Sequence, residues 1–513
     1  MPEGMRRTWG ALGLILLLAL ALRLVNLGGR TLWYDEAFAV LFAEKGWDAM
    51  VDGTLTPVEG GAADVHPLLY YVALDGWMDV FGQGAFAVRL FSALLGVATV
   101  GAAFGLTRDW FGDDSAGLAA AFVTAVAPFH VQYSQEARMY ALLALLLTLA
   151  TWLYWRAWQR GGAGYWLGFG VLAGISMYAQ QLAAFYLLAL GLLPVVYRRR
   201  RETIGTAVAA GVALVIYLPW MLHLPDQLGK LRQYWVQKPN VLHIWLALRS
   251  FVSVNLDFPA AWWLPTFLLA AILAVLVLYR AGQVLRAPGP NPDRVPLGWV
   301  IWLAFAPVVL MWIASYVFQP VFLPRALLPS AVMFYCALAW LFARGSLPKP
   351  IGGLLAAGWG VIIVFGLVTH YTWDTFPNPP FDRAADFLSA HVERGDVVLH
   401  GNKITALPMV YYARDLHQDY VRDILGSGSD TLAVPTQATL GLMAARSVED
   451  AVNGADRVWY VAFEQFEDEM AGLVEDDPEN AQYDSLSWLL DRFVEERTVA
   501  FNDLRIVLFI RPE

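Results

Sequence analysis

The chain has 513 residues, of which 58% are hydrophobic and only 15% charged, against roughly 25% charged in a soluble domain. A single cysteine, Cys336, excludes an intrachain disulfide and a thiolate metal cluster. The net charge of −9 is uneven: residues 374–513 hold 26 acidic and 11 basic side chains (net −15), leaving 18 and 24 (net +6) elsewhere. That excludes a nucleic-acid-binding tail and predicts two domains in different surroundings.

Apolar runs of about 20 residues match the length a helix needs to cross a bilayer. They fall at 8–27, 86–107, 115–130, 139–157, 164–178, 181–197, 203–222, 261–279, 296–318, 326–343 and 351–372. The expected fold is therefore an α-helical polytopic membrane protein with about 11 transmembrane helices. The first run could be a signal peptide, but it continues to Leu27 and ten similar runs follow, so it is read as an uncleaved span. The bias of Lys and Arg in short loops sets orientation. A cytoplasmic N-terminus puts Arg6-Arg7, Arg108, Arg156, Arg160, the Arg198–Arg201 run and Arg344 on one side. The external side then receives the 28–85 loop, the 131–138 loop, the 223–260 loop, residues 319–325 and the acidic tail. The expected location is the cell (plasma) membrane, multi-pass, with the C-terminal domain extracytoplasmic.

The predicted membrane domain is 1–373. A Pro-rich linker follows at 374–380, and 381–513 reads as a small acidic α/β domain. Within it, 381–392 and 484–493 have helical periodicity, 396–399 and 457–463 read as buried strands, and 498–510 is strand-like. No glycine-rich phosphate loop is present.

Four polar clusters converge on the predicted external face: Asp35-Glu36; Asp64 with His66; 132–140, containing Glu136, Arg138 and Tyr140; and 320–325, ending in Arg325. Arg89 opens the second span. Two adjacent carboxylates close to hydrocarbon are costly to hold there. Asp35 could accept a proton from an attacking hydroxyl, which contributes roughly 10²–10⁴-fold, or it could cap a helix starting near Ala37. Arg138, Arg325 and Arg89 could grip a lipid phosphate through a forked guanidinium, or could snorkel, as assumed for Arg23. Glu36, Asp64 and His66 could hold a divalent metal, or His66 could be a loop hydrogen-bonder; no HxxxH or HExxH spacing marks a dedicated site. If 136–140 starts a helix, Glu136 and Tyr140 share a face. Trp33 and Tyr34 are belt aromatics or sugar-stacking rings.

At these residues the chain resembles the family-39 and ArnT-like glycosyltransferases of the GT-C class, which include the protein O-mannosyltransferases and the aminoarabinose transferase of lipid A. The matching motifs are LWYDEAFA, HPLLYY and YSQEARMY, in that order, with a PR-L-LP stretch later. The resemblance covers about residues 1–345. It implies an integral-membrane glycosyltransferase moving a sugar from a polyprenyl-phosphate donor to a lipid, glycan or protein acceptor on the external face, with inversion. Asp35 corresponds to the catalytic base; Glu36, His66, Glu136, Arg138 and Tyr140 line the site. Leu68 stands where the family has a second proline, and Ala326 where it often has tyrosine. The competing reading is a transporter or lipid-linked sugar flippase, which would place ionisable groups near the midplane within inverted repeats. Here they gather at one face.

Overall fold

The computed structural model describes residues 3–58, 61–62, 66–230, 236–256, 258–424 and 431–512. Every predicted apolar run is helical. The membrane part comprises α1 (Glu3–Leu24), α5 (Ala85–Phe111), α6 (Asp114–Val126), α7 (Pro128–Ser134), α8 (Tyr140–Arg160), α9 (Ala163–Ala179), α10 (Ala183–Val196), α11 (Arg200–Met221), α14 (Trp263–Arg286), α15 (Arg294–Val317), α16 (Leu328–Ala343) and α17 (Lys349–Thr372). Among the described residues eight helices are long and apolar enough to cross a membrane, nine if the α6–α7 pair, bent by 62°, is counted as one span. α9 and α10, with 17 and 14 residues, fall short of a full crossing length. α16 runs through the centre of the bundle with almost every side chain buried.

The α6–α7 bend has a local cause. Pro128 has no N–H, so the carbonyl of Thr124, four residues earlier, loses its helical donor. Arg23 on α1 supplies it: its guanidinium donates to Thr124 O (3.4 Å), Ala125 O (3.1 Å) and Ala19 O (2.9 Å). Arg23 is fully buried, so the snorkelling expected of it is wrong. It caps a broken helix instead.

The 28–85 segment, expected as a loop, is mostly helical. It holds α2 (Tyr34–Ala43), α3 (Gly46–Leu55), a short hairpin β1 (Pro57–Val58)/β2 (Gly61–Ala62) and α4 (Leu69–Phe81). The 223–260 segment, expected as a loop, adds α12 (Leu224–Lys230) and α13 (Val241–Val252).

Beyond Thr372 come α18 (Phe381–His391), β3 (Val397–His400), α19 (Lys403–Tyr412), β4 (Gln418–Tyr420), α20 (Val434–Leu440), α21 (Val448–Val452), β5 (Arg457–Phe463), α22 (Glu464–Asp476), α23 (Ser485–Leu490), β6 (Val494–Phe501) and β7 (Leu504–Ile510). The sheet order is β4-β3-β5-β7-β6, with β4, β3 and β5 parallel and the β5/β7/β6 pairs antiparallel. The stretch read as one strand at 498–510 is an antiparallel hairpin turning at Asn502, which holds a left-handed φ of 59°. Apolar side chains cover both sheet faces: α18 and α19 pack on one, α21 and α23 on the other.

This domain is strapped to the helices of the 28–85 segment. Tyr412 accepts a hydrogen bond from Leu32 N (2.8 Å), Thr31 Oγ1 donates to Pro379 O (2.6 Å), and Asn378 bridges Arg30 and Thr31 (3.0 Å each). α20 reaches α3 through Thr436 Oγ1 to Gly53 O (2.7 Å). Replacing Tyr412→Phe strips the acceptor from Leu32 N, a group beside a fully buried side chain. An orphaned buried donor costs about 1–3 kcal/mol. The expected result is a lowered thermal midpoint of the purified protein, read by intrinsic fluorescence.

Candidate active site

The site is built on α2. Its N-cap is Trp33, with no side-chain cap, so the helix begins before the expected Ala37 and Asp35 lies inside its first turn. The Asp35 carboxylate is therefore not spent on capping. It turns outward to Arg325, whose Nη1 donates to Oδ2 at 2.8 Å. Arg325 comes from a 3-10 turn, Pro324–Leu327, between α15 and α16. Its guanidinium lies 5.5 Å from the ring centre of Tyr140 and 5.9 Å from that of Trp33. Arg138 approaches from the α7–α8 corner and donates to Asp35 O and Tyr71 Oη (3.2 Å each). Burial alone would raise the Asp35 pKa, but Arg138 and Arg325, with His66 adding to them, hold it below the ordinary carboxylate value. Asp35 is thus an ionised carboxylate beside two guanidinium groups.

Glu36 faces the other way. Both its oxygens meet Arg89 (2.7 and 2.5 Å), and Oε1 also accepts from Ala137 N (2.9 Å). Arg89 spends its remaining donors on the carbonyls of Leu27, Arg30 and Thr31 at 2.6–3.0 Å. Both side chains are almost fully enclosed, at 3% and 1% exposure. Read from sequence as a carboxylate lining the site and a phosphate grip, the two are engaged with each other and with backbone. They fix α2, α5 and the 137–138 corner together.

Glu136 and Tyr140 do not share a helical face as expected. α8 starts only at Tyr140, and 135–139 is a tight corner in which Arg138 N bonds Glu136 O at 2.8 Å. The corner sends Glu136 into a cavity of about 260 Å³, lined also by Arg30, Trp33, Gln132, Tyr133, Asn255 and Arg325. Glu136 Oε2 is buried with no hydrogen-bond partner among the described residues. Burial, then the neighbouring Glu36 charge, pushes its carboxyl up to about 8. At neutral pH it is mainly a neutral acid and a hydrogen-bond donor. Tyr140 is buried, edge-on to Tyr133 at 5.4 Å.

Asn255 braces the cavity wall through Nδ2 to Tyr133 Oη (2.7 Å) and N to Gln132 Oε1 (2.8 Å). Sequence reasoning passed over Asn255, because a lone asparagine in a long loop carries no pattern. Arg30 and Tyr71 were equally unmarked, although Tyr71 closes HPLLYY and Arg30 lies two residues before LWYDEAFA. For the divalent metal read from Glu36, Asp64 and His66, Glu36 is committed to Arg89 and Asp64 lies outside the described residues. Among the described residues no three His, Cys, Asp or Glu side chains group around a common point.

Comparison with known proteins agrees with this architecture. Residues 65–223 match the family described as dolichyl-phosphate-mannose-protein mannosyltransferase. The structure is similar to ArnT from Cupriavidus metallidurans bound to undecaprenyl phosphate, at 13% identity and TM-score 0.63, covering 98% of both chains. It is also similar to the oligosaccharyltransferase of Archaeoglobus fulgidus in complex with Zn and sulfate, at 13% identity and TM-score 0.53, covering 92% of this chain and 70% of that one. No curated protein matches the sequence. The fold is thus the polytopic GT-C architecture with a small C-terminal sheet domain.

Two outcomes follow from the buried acids. Glu36→Gln leaves Arg89 charged and enclosed without its counter-ion, a loss of about 3–5 kcal/mol; the yield of folded protein on size-exclusion chromatography should drop sharply. Glu136, with a folded pKa above its ordinary value, contributes stability at low pH that is lost as pH rises from about 4.5 to about 8. Glu136→Gln removes that loss, so its thermal midpoint should gain on wild type steadily across this window.

Proposed function

We propose that the protein is an integral-membrane glycosyltransferase that moves a sugar from a polyprenyl-phosphate donor to a hydroxyl acceptor on the external face, with inversion. The observation that carries this reading is the ionised Asp35 paired with Arg325 at the edge of a polar cavity. The family match over 65–223 and the fold shared with ArnT support the reaction class. The undecaprenyl phosphate bound to ArnT supports a polyprenyl-linked donor.

The chemistry needs a base and an anion grip, and one cluster supplies both. The acceptor O–H gives its proton to Asp35 as its oxygen bonds the anomeric carbon, while the opposite C–O bond breaks and polyprenyl phosphate leaves with the electron pair. Arg325 and Arg138 receive the charge that develops on the leaving phosphate. A carboxylate held at low pKa is a weak base, but the donor phosphate competes for the same guanidinium groups. Donor binding therefore loosens the Asp35–Arg325 pair and raises the basicity of Asp35 when the acceptor arrives. Glu136, neutral and lining the cavity, donates to a sugar hydroxyl there, while Tyr140 beside Arg325 and His66 near Asp35 contact substrate at its edge. Glu36 and Arg89 act by positioning α2. In this reading residues 1–373 form the catalytic domain with a cytoplasmic N-terminus. After the 374–380 linker, the 381–513 domain lies outside and presses on the catalytic helices.

The test uses the purified full chain with radiolabelled polyprenyl-phosphate sugars. Asp35→Asn is expected to reduce donor consumption by at least about 10²-fold while the thermal midpoint stays within a few degrees of wild type. Undiminished turnover by a folded Asp35→Asn protein overturns the mechanism. Transport of donor across liposomes without turnover favours the flippase reading.

A further inference from the structure

α5 has 27 residues, about 40 Å at ~1.5 Å per residue, so its end at Phe111 lies across the bundle from Asp35. At that far end the segments 3–10, 105–116, 155–165, 197–205, 278–296 and 343–350 carry fourteen Lys and Arg against six Asp and Glu. Most of these acids are already matched. Asp293 and Asp113 are bound by Arg344, Asp114 by Arg108, and Asp109 by Arg156.

A cavity of about 480 Å³ opens at this end between α5, α8 and α15, lined by Trp110, Trp155, Arg156, Gln159, Arg160 and Asn291, among others. Arg156 is held in place: its Nε donates to Asp109, and its guanidinium lies over the Trp152 ring at 5.5 Å. Trp152 Nε1 donates to the same Asp109 oxygen at 2.6 Å. Asp109 is thereby neutralised locally. Arg160 is exposed and reaches Tyr165 Oη at 3.4 Å. Arg201 adjoins them, since a Cβ on Gly161 would lie 2.8 Å from its Nη2. In the cavity lining, Arg156 and Arg160 against Asp109 leave an excess of one positive charge, and Arg201 lies beside Glu202. Trp110 and Trp155, edge-on at 6.5 Å, form an apolar floor below them.

We propose that this cavity binds the phosphate headgroup of an anionic glycerophospholipid at the bundle end opposite the Asp35 site. Arg156 and Arg160 take the phosphate oxygens, Gln159 and Asn291 donate to the glycerol portion, and the acyl chains run along α8 and α15. Basic pockets between spanning helices, at the depth where headgroups lie, have this chemistry, and indoles belong at that level.

The test uses the purified full chain in phosphatidylcholine nanodiscs, titrated with phosphatidylglycerol and read by thermal midpoint and by native mass spectrometry. Wild type should gain stability and retain one phosphatidylglycerol, while Arg160→Gln binds it roughly five- to ten-fold more weakly. Arg198→Gln, on the same end but outside the cavity, should bind as wild type does. Equal midpoints of wild type and Arg160→Gln in phosphatidylcholine alone show that the variant is folded. The proposal is overturned if Arg160→Gln retains wild-type binding, if Arg198→Gln loses as much, or if phosphatidylcholine is retained equally well. It is also overturned if inorganic phosphate reproduces the whole effect, or if only polyprenyl phosphate binds.

Discussion

The Glu36–Arg89 pair is the constraint on which the site depends. One carboxylate meets a guanidinium face to face and also holds Ala137 N, while the guanidinium gathers three carbonyls from the 27–31 turn. Three regions far apart in sequence, 27–36, Arg89 and Ala137, are thereby fixed within one enclosed network. Its cost is the dehydration of two charges, and only near-complete hydrogen bonding offsets that. What it gives is direction: α2 cannot rotate, so the neighbouring Asp35 must face Arg325, which lines the cavity. Two adjacent acids thus divide their work by helix geometry, since successive side chains point about 100° apart.

A second layer of restraint comes from outside the bilayer. Asn378 and Thr31 join the segment after α17 to the turn before α2, and Tyr412 closes the free N–H of Leu32. Arg30 links this strap to His370 at 3.2 Å, and His370 reaches Gln135 at 2.7 Å. The C-terminal domain is therefore joined by hydrogen bonds to the same corner that carries Glu136 and Arg138.

Much of this was legible in the sequence. Hydrocarbon thickness demands apolar length, so the apolar runs could be read as helices, although two of them fall short of a crossing, and the structure brings the DE and QEARMY stretches together at one corner. What sequence could not supply was direction and partnership. Nothing local distinguishes Glu36 from Asp35, or Arg89 from Arg325; only the fold decides which arginine meets which acid. Arg23 looked like an interfacial residue because its real partner is a carbonyl orphaned a hundred residues later. Glu136 and Tyr140 seemed one turn apart because the corner before α8 is set by tertiary bonds, not by periodicity. The β6–β7 hairpin was hidden because Asn502, not glycine, makes its turn.

The break at Pro128 has a consequence for the chamber itself. A straight α6 would continue its axis, and Gln132, Tyr133 and Glu136 would follow that axis away from Trp33 and Arg325. The 62° deflection folds them back as a wall of the cavity. The existence of a polar pocket at this depth thus depends on an absent hydrogen: a proline that cannot donate, and an arginine on the first helix that makes its absence tolerable.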